Sequence, residues 1–339
     1  MSPVTATSLQ ARTRSNPLYW AMPMHPARRD FLRALLGGAA GLSIAYRAHG
    51  QAAPSIQATK LADNIAVLTG DGGNIGLVIS ADGLMMIDGG YANRAAELQT
   101  AIAAVDSHPV KLLFNTHWHG DHVGSNELLG ASGVKIMAQQ NAKYWLSRKV
   151  QSEAFGATIE PLKPEGLPTQ TFLENGKLTF GTQKIEYKWM PYSHTDNDAY
   201  LFFPSANVLQ TGDLFFNGTF PVIDYSTNGW IGGMAEALDK LLKVGDTQTK
   251  IIPGHGRIAT KEDMRTARDM LRGVHDQLEA FSKKGASVDE VVKANPVAEL
   301  ESKWGQGYLN GERFLRMAYP SLAKRAELVK AWGNHRVSW

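Results

Sequence analysis

The sequence predicts a single α/β sandwich domain in which two β-sheets pack against each other and helices cover their outer faces. Short β-rich runs joined by Gly-rich turns come first after Gln51, and helices and strands then alternate. A second β-rich half begins near Leu178 and also passes into helices. Because no repeat, low-complexity tract or linker divides the two halves, residues 51–339 are expected to form one domain.

The elements of the first half follow from local patterns of apolar residues and turn formers. Alternating or continuous apolar runs predict strands, and alanine-rich segments with helical periodicity predict helices. The predicted strands are Ile65–Thr69, Ile75–Ser80, Leu84–Asp88, Val110–Asn115 and Val134–Ala138, and the predicted helices are Ala92–Val105 and Asn141–Lys149. Residues 152–170 contain several prolines and glycines and are expected to form a loop.

The second half repeats this pattern and then becomes helical. Its predicted strands are Leu178–Met190, Ala199–Phe203, Val208–Gln210 and Lys250–Ile252. Its predicted helices are Met234–Val244, Lys261–Lys284 and Val288–Lys293. From about residue 261 onwards a helical C-terminal extension of the domain is therefore expected.

The composition limits the possible chemistry. The 339 residues are 43% hydrophobic, which is enough for a sizeable core, and the formal net charge of +3 is small for this length. No basic stripe interleaves with aromatic residues, so nucleic acid is not an expected partner. The absence of cysteine from the sequence excludes disulfides, thiolate nucleophiles and cysteine-bound metals. Any bound metal must therefore be held by His, Asp or Glu.

Residues 1–50 have the pattern of an export signal rather than of a folded segment. The pair Arg28-Arg29 precedes a Gly/Ala-rich apolar run from Ala34 to Tyr46, and small residues up to Gly50 offer a cleavage site. The apolar run is too short to span a bilayer, so no stable membrane span is expected. The arginine pair is similar to a twin-arginine signal, which predicts a periplasmic or secreted protein; an ordinary basic N-terminus is the alternative.

The strongest chemical signal is the stretch THWHGDH, residues 116–122, at the end of a predicted apolar strand. His117 and His119 are two residues apart in an extended segment, so both project to one side and can hold one ion. Asp121 and His122 follow a glycine and can turn towards a second ion. These residue types suit zinc, and iron, manganese and nickel are also compatible. Surface or capping histidines, the alternative, rarely fall at this spacing.

Three later strand ends supply the remaining candidate ligands. His194 follows the strand that ends at Met190, Asp213 follows the next strand but one, and His255 lies between two glycines after Ile252. A lone His or Asp at a strand end is often only a cap or turn residue, but the order and shared context of these three favour ligands. The other histidines lack such a context: His25, His49, His108, His275 and His335.

The set of motifs THWHGDH, YSHT, TGD and PGHG resembles that of the metallo-β-lactamase-fold hydrolase superfamily, over about residues 65–258. The resemblance implies a four-layer αβ/βα sandwich with metals at the sheet edges. It also implies that His117, His119 and His194 hold a first metal, that Asp121, His122 and His255 hold a second, and that Asp213 bridges both. Asp88 matches the early aspartate of the family, which supports the histidine loop without binding metal; a simple turn aspartate is the alternative.

The resemblance implies a hydrolase that cleaves an activated acyl bond of a small molecule, such as a β-lactam, lactone, ester or thioester. Two zinc ions per chain, or iron or manganese in their place, would supply a metal-bound hydroxide, and Asp121 would orient it or pass its proton onward. Asp213 stands where β-lactamases most often have Cys or Ser, which is more similar to lactonases and glyoxalase II. The stretch YSHTDND, however, differs from the PGHTPGH typical of quorum-quenching lactonases.

Aromatic residues in or beside the motif loops are candidates for the walls of a substrate pocket: Trp118, Phe215, Phe216, Tyr225 and Trp230. Candidates for an oxyanion donor in the pocket are Asn217, Tyr192 and Tyr225. For each of these residues a role in the core or in a turn is the alternative. The sequence does not indicate the oligomeric state.

Two other functions are compatible with the same fold. One is an oxidoreductase similar to the persulfide dioxygenases, which use a single iron held by a subset of these positions; the full ligand set, including His122 and His255, argues against it. The other is a non-catalytic metal- or ligand-binding protein. The metal content of the purified protein separates the first from a dinuclear hydrolase, and turnover of an acyl substrate excludes the second.

Overall fold

The computed structural model describes residues 55–331. The predicted export signal, residues 1–50, lies outside this range, as do His25, His49 and His335. Within residues 55–331, no helix is both long and apolar enough to cross a membrane.

The strands fall into two groups along the chain. The first group is β1 (Gln57–Ala62), β2 (Ile65–Thr69), β3 (Ile75–Ser80), β4 (Gly83–Ile87), β5 (Val110–Asn115), β6 (Lys135–Gln139), β7 (Val150–Ser152), β8 (Ala157–Ile159) and β9 (Gln170–Phe172). The second group is β10 (Asn175–Phe180), β11 (Gln183–Trp189), β12 (Ala199–Phe203), β13 (Val208–Phe216) and β14 (Lys250–His255).

The helices lie between the strands of each group and at the end of the chain. They are α1 (Ala95–Val105), α2 (Gly120–Val123), α3 (Asn126–Ala131), α4 (Gln140–Leu146), α5 (Ile231–Leu241), α6 (Lys261–Lys283), α7 (Val288–Ala294), α8 (Glu301–Trp304) and α9 (Gly311–Ala331). Short 3-10 turns occur at Ala92–Arg94, Pro164–Gly166, Tyr225–Thr227 and Ala298–Leu300.

Two sheets form the centre of the molecule. The first has the order β1-β2-β3-β4-β5-β6-β9, antiparallel from β1 to β4 and parallel from β4 to β9. The second has the order β10-β11-β12-β13-β14, antiparallel except for the parallel pair β13 and β14. Because neighbouring parallel strands end at the same edge of a sheet, the loops after β4, β5 and β6 lie close together.

Side chains of β4 show how the layers pack. Met85 and Ile87 belong to the core between the two sheets, whereas Leu84 and Met86 pack with Leu98 of α1 on the outer face. This alternation is the period of two expected for a strand, and burial of both faces explains why the segment is continuously apolar. The order of layers is therefore helix, sheet, sheet, helix, which is the predicted αβ/βα sandwich.

The C-terminal helices cover the outer face of the second sheet. Residues of β13, α5, α6 and α9 share one buried cluster. In that cluster Phe220, shortly after β13, stacks on Phe314 of α9 with ring centroids 4.5 Å apart. The helix α6 begins at a capping box in which Thr260 and Asp263 satisfy each other's backbone N–H groups. The C-terminal extension thus packs directly on the sheet that carries Asp213 and His255.

Several predicted elements differ from the structure. The single strand predicted for Leu178–Met190 is two strands, β10 and β11, joined by a turn at Gly181, whose φ of +55° favours glycine. The predicted loop over residues 152–170 contains β8, which pairs with β7 in a small separate hairpin. The strand predicted for Val208–Gln210 continues to Phe216, and all nine of its residues are buried. The sequence analysis did not identify β1 or α9.

Candidate metal centre

The candidate ligands converge where strands of both sheets end. The loop after β5 carries His117 to His122, the segment after β11 carries His194, and Asp213 and His255 belong to β13 and β14. Their ligand atoms form two groups, each with all its atoms within 4.8 Å of one another. The groups are His117, His119, His194 and Asp213, and Asp121, His122 and His255.

The carboxylate of Asp213 lies between the two groups. Its Oδ2 is 3.4 Å from Nε2 of His194 and 3.8 Å from Nε2 of His117. Its Oδ1 is 3.1 Å from Nε2 of His122 and 3.4 Å from Nε2 of His255. Each oxygen therefore faces a different group, so one carboxylate can complete four ligands around each of two ions.

The residues present fit such ions. Nε2 of His117, Nε2 of His122 and Oδ1 of Asp213 are buried and have no hydrogen-bond partner within residues 55–331. A buried polar atom left without a partner costs about 1–3 kcal/mol, and a bound cation would remove that cost. Histidine nitrogens with carboxylate oxygens and no thiolate suit zinc, and they also suit iron or manganese.

Hydrogen bonds to the second ring nitrogen orient four of the histidines, including His117, whose Nδ1 is 3.1 Å from the hydroxyl oxygen of Thr116. Nδ1 of His122 is 2.8 Å from Oδ2 of Asp88, and Nδ1 of His194 is 2.8 Å from the carbonyl oxygen of Val222. Nε2 of His119 is 3.0 Å from Oδ2 of Asp224, which leaves Nδ1 as its ligand atom, 2.8 Å from Nε2 of His194. Such outer partners fix the tautomer and the direction of a ligating ring.

Asp88 is fully buried and supports the loop that carries the histidines. Its φ of +68° is in the left-handed region, which few residues other than glycine adopt, although aspartate is among the more tolerant. The backbone N–H of Thr116 donates to Oδ1 at 2.7 Å, and the Thr116 hydroxyl donates to Oδ2 at 2.8 Å. Together with its bond to His122, these contacts join the end of β4 to the start and the end of THWHGDH.

The sequence analysis missed Asp224. This residue is buried and accepts hydrogen bonds from the backbone N–H of Ser226 at 3.1 Å and from the hydroxyl of Thr227 at 2.7 Å, in addition to its contact with His119. It lies in an irregular loop, and the search for ligands considered only strand ends. The one available signal was the order Asp224-Tyr225-Ser226, in which an aspartate two residues before a serine can initiate a turn.

Charges within the site perturb the pKa values of its residues strongly. Burial opposes ionisation of Asp213, but the charges of His255 and His122 outweigh it and hold the pKa of Asp213 well below its usual value. Burial likewise opposes protonation of His255, yet Asp213 and Asp121 raise the pKa of His255 to about 10. In contrast, burial and the neighbouring His122 hold the pKa of His117 well below its usual value. The direction of each pKa shift thus depends on whether the neighbouring charges or burial has the larger effect.

Three residues predicted as pocket walls pack against other parts of the domain. Trp118 is 2% exposed and Phe215 is 1% exposed, and both pack in hydrophobic clusters because their side chains point into the body of the domain. Trp230 packs edge-on against His275 of α6 and faces the guanidinium of Arg325 on α9. A pocket role for these residues stays a prediction.

The remaining candidates are spread around the site. Phe216 stacks on the ring of His255 with centroids 5.0 Å apart. The side-chain amide of Asn217 is bonded to the carbonyl oxygen of Arg257, and the ring of Tyr192 lies under Arg325. Tyr225 packs against the buried cluster of the second sheet. The sequence analysis missed Phe155, in the hairpin of β7 and β8. Its ring packs edge-on against the ring of His119, with centroids 5.3 Å apart.

Comparisons with known proteins agree with this fold. A family model described as the metallo-beta-lactamase superfamily matches residues 68–257. A linear primary-alkylsulfatase from Pseudomonas sp. (strain ATCC 19151) is 23% identical over 64% of this chain, which spans only 48% of that relative. A metallo-beta-lactamase type 2 from Bacillus sp. (strain 170) is 22% identical over 58% of this chain and 72% of its own length.

Solved structures show the same fold. A metallo-beta-lactamase from Pontibacter korlensis matches with a TM-score of 0.53 at 19% identity, covering 64% of this chain and 99% of that one. The metallo-beta-lactamase IND-7 matches with a TM-score of 0.52 at 18% identity, covering 64% of this chain and 98% of that one. The chain belongs to the metallo-beta-lactamase superfamily, and the predicted family and fold are confirmed.

Proposed function

We propose that this protein is a dinuclear zinc hydrolase that cleaves an activated acyl bond of a small molecule: a β-lactam, a lactone or an ester. The observation that carries the proposal is the position of Asp213, whose two oxygens face two separate groups of ligand atoms. A site for one ion would need only one of these groups. This favours a two-metal hydrolase over a mononuclear iron oxidoreductase.

His117, His119 and His194 would hold the first ion, Asp121, His122 and His255 would hold the second, and Asp213 would offer one oxygen to each. Zinc bound there would supply an activated water with a pKa of about 7 and a Lewis acid for the substrate carbonyl. The chain supplies the geometry: Asp88, Asp224 and the carbonyl of Val222 fix the directions of the rings around the reacting atoms.

Substrate is expected to approach from the side of the second group. The side chains of His255 and Asp121 are 26% and 16% exposed, whereas those of His117 and His194 are almost fully buried. His122 and His255 outweigh the effect of burial and lower the pKa of Asp121 to about 2. An ionised Asp121 at the open side can accept a hydrogen bond from the attacking water and orient it.

The substrate is to be identified with a hydrolysis panel on zinc-loaded protein. The panel contains a chromogenic cephalosporin, several lactones, aryl esters and a glutathione thioester. A linear alkyl sulfate is added because one relative is an alkylsulfatase. Metal analysis of the same samples should find two zinc ions per chain. One iron per chain together with oxygen consumption would refute the proposal, as would the absence of turnover with both sites filled.

The variant Asp121→Asn tests the assigned role. Loss of the carboxylate is expected to reduce turnover about 10²–10⁴-fold, the range for a positioned group that handles a proton. Asp82→Asn, in an exposed turn between β3 and β4, is the matched control and should keep wild-type activity. Full activity of Asp121→Asn would show that the assigned mechanism is wrong.

A further inference from the structure

The turn between β2 and β3 contacts the segment Pro253–Gly256, at the end of β14 on the other sheet, which carries His255. The backbone N–H of Asn74 donates to the carbonyl oxygen of Gly254 at 2.7 Å. Its side-chain amide donates to the carbonyl oxygens of Pro253 and Gly256, both at 2.9 Å. Asn74 is 5% exposed. All of its N–H donors are bonded to the Pro253–Gly256 segment, about 180 residues away in the chain.

The backbone around this contact lies directly against proposed ligands. A Cβ atom on Gly73 would clash with the ring of His122, and one on Gly254 would clash with Oδ1 of Asp213. Neither segment can therefore move towards the site, and the hydrogen bonds of Asn74 prevent them from moving apart. The position of the Pro253–Gly256 segment is thus set from the first sheet as well as by its pairing with β13.

His255 needs such support more than the other histidines. Each of the other four rings is oriented by a hydrogen bond to its second nitrogen: His117, His119, His122 and His194. Within the described residues no hydrogen bond is formed by Nδ1 of His255, and this side chain is the most exposed of the proposed histidine ligands at 26%. Its ring direction depends on the stack with Phe216 and on the course of its own backbone.

We propose that Asn74 is a positioning residue for the second metal ion. It holds the Pro253–Gly256 backbone at the distance where Nε2 of His255 faces Asp121, 3.2 Å away, and Asp213, 3.4 Å away. Asn74 forms its hydrogen bonds with backbone carbonyl groups of the Pro253–Gly256 segment and therefore acts through that backbone. This inference rests on the proposed dinuclear site, but it concerns metal affinity and does not depend on which substrate is cleaved.

The test is a zinc titration of metal-free full-length protein against a chromophoric chelator, which resolves two binding steps. His255→Ala identifies the step that belongs to the second ion. Asn74→Ala is expected to weaken that same step about 10–100-fold, the usual effect of removing an outer partner of a metal ligand. The other step should change by less than about threefold. Should Asn74→Ala unfold, Asn74→Ser, which keeps a donor, is measured in the same way.

Asn64→Ala is the matched control. Asn64 also bridges the two sheets, with its amide bonded to Thr182 and its oxygen accepting from Gln183, but it precedes β2 and so lies at the opposite end of the sandwich. It should leave both zinc steps unchanged. Equal weakening of both steps in Asn74→Ala, or no weakening, would overturn the inference. Two zinc ions bound by the wild type without acyl turnover would refute the proposed function alone.

Discussion

The substitution Asp224→Asn should weaken the first metal site selectively. Asparagine has almost the same shape, but it removes the negative charge that faces Nε2 of His119 at 3.0 Å. Ser226 and Thr227 donate to different oxygens of Asp224, so the single amide oxygen of asparagine can accept from only one of them. His119 then loses the partner that makes Nδ1 its ligand atom. Hydrogen bonds to charged groups contribute about 1.5–3 kcal/mol. That range corresponds to an affinity loss of about 10–100-fold, which agrees with the effect usually found for outer partners of metal ligands.

The assay is the same two-step zinc titration, with Asp246→Asn as control. Asp246 accepts from the backbone N–H of Gln248 and from Asn207, much as Asp224 accepts from its own loop, but it is far from any proposed ligand. The step that persists in His255→Ala should weaken in Asp224→Asn and not in the control. This role for Asp224 would be refuted if Asp224→Asn weakened only the zinc step that is lost in His255→Ala. It would also be refuted if Asp224→Asn and Asp246→Asn weakened zinc binding equally.

Three further outcomes are expected. Gly73→Ala places a methyl group against the ring of His122 and should weaken the second zinc step at least about tenfold, whereas Gly273→Ala, whose Cβ meets nothing, should not. Phe314→Ala removes a fully buried ring stacked at 4.5 Å on another and should lower the free energy of unfolding in urea by about 3–5 kcal/mol. Because the flanking carboxylates raise the pKa of His255 to about 10, zinc must displace its proton at pH 7. Zinc affinity should therefore rise with pH until about 10, and calorimetry in buffers of different ionisation enthalpy should detect proton release; a pH-independent affinity would contradict this.

Several buried strands were predictable from the sequence to the residue. Ile65–Thr69, Ile75–Ser80 and Val110–Asn115 match β2, β3 and β5 residue for residue, because buried strands are continuously apolar and their turns are marked by glycine or asparagine. The strand end also explains why ligands separated widely in the chain could be grouped from sequence alone. Strands that run in the same direction end at the same edge of a sheet, so residues that directly follow such strands lie close together in space.

Asp224 and Asn74 could not be found in this way, for different physical reasons. Asp224 acts from an irregular loop, whose course depends on packing of the second sheet against α9 rather than on any local pattern. Asn74 was recognised only as part of a turn, and its function depends on contacts with Pro253 and Gly256 in the other half of the chain. The burial of Trp118 could not be predicted either, since proximity to a motif does not show whether a side chain points outwards or into the core.

Both proposed sites depend on both sheets. In the first site, acceptors near the second sheet orient His119 and His194, whereas the hydroxyl of Thr116 orients His117 from the first sheet. In the second site, Asp88 of the first sheet orients His122, and Asn74 of the same sheet holds the end of β14 that carries His255. A small change in the separation of the sheets would therefore alter the distances within each group. Because Asp213 contributes one oxygen to each group, the stability of the sandwich and the occupancy of the two sites are expected to be linked.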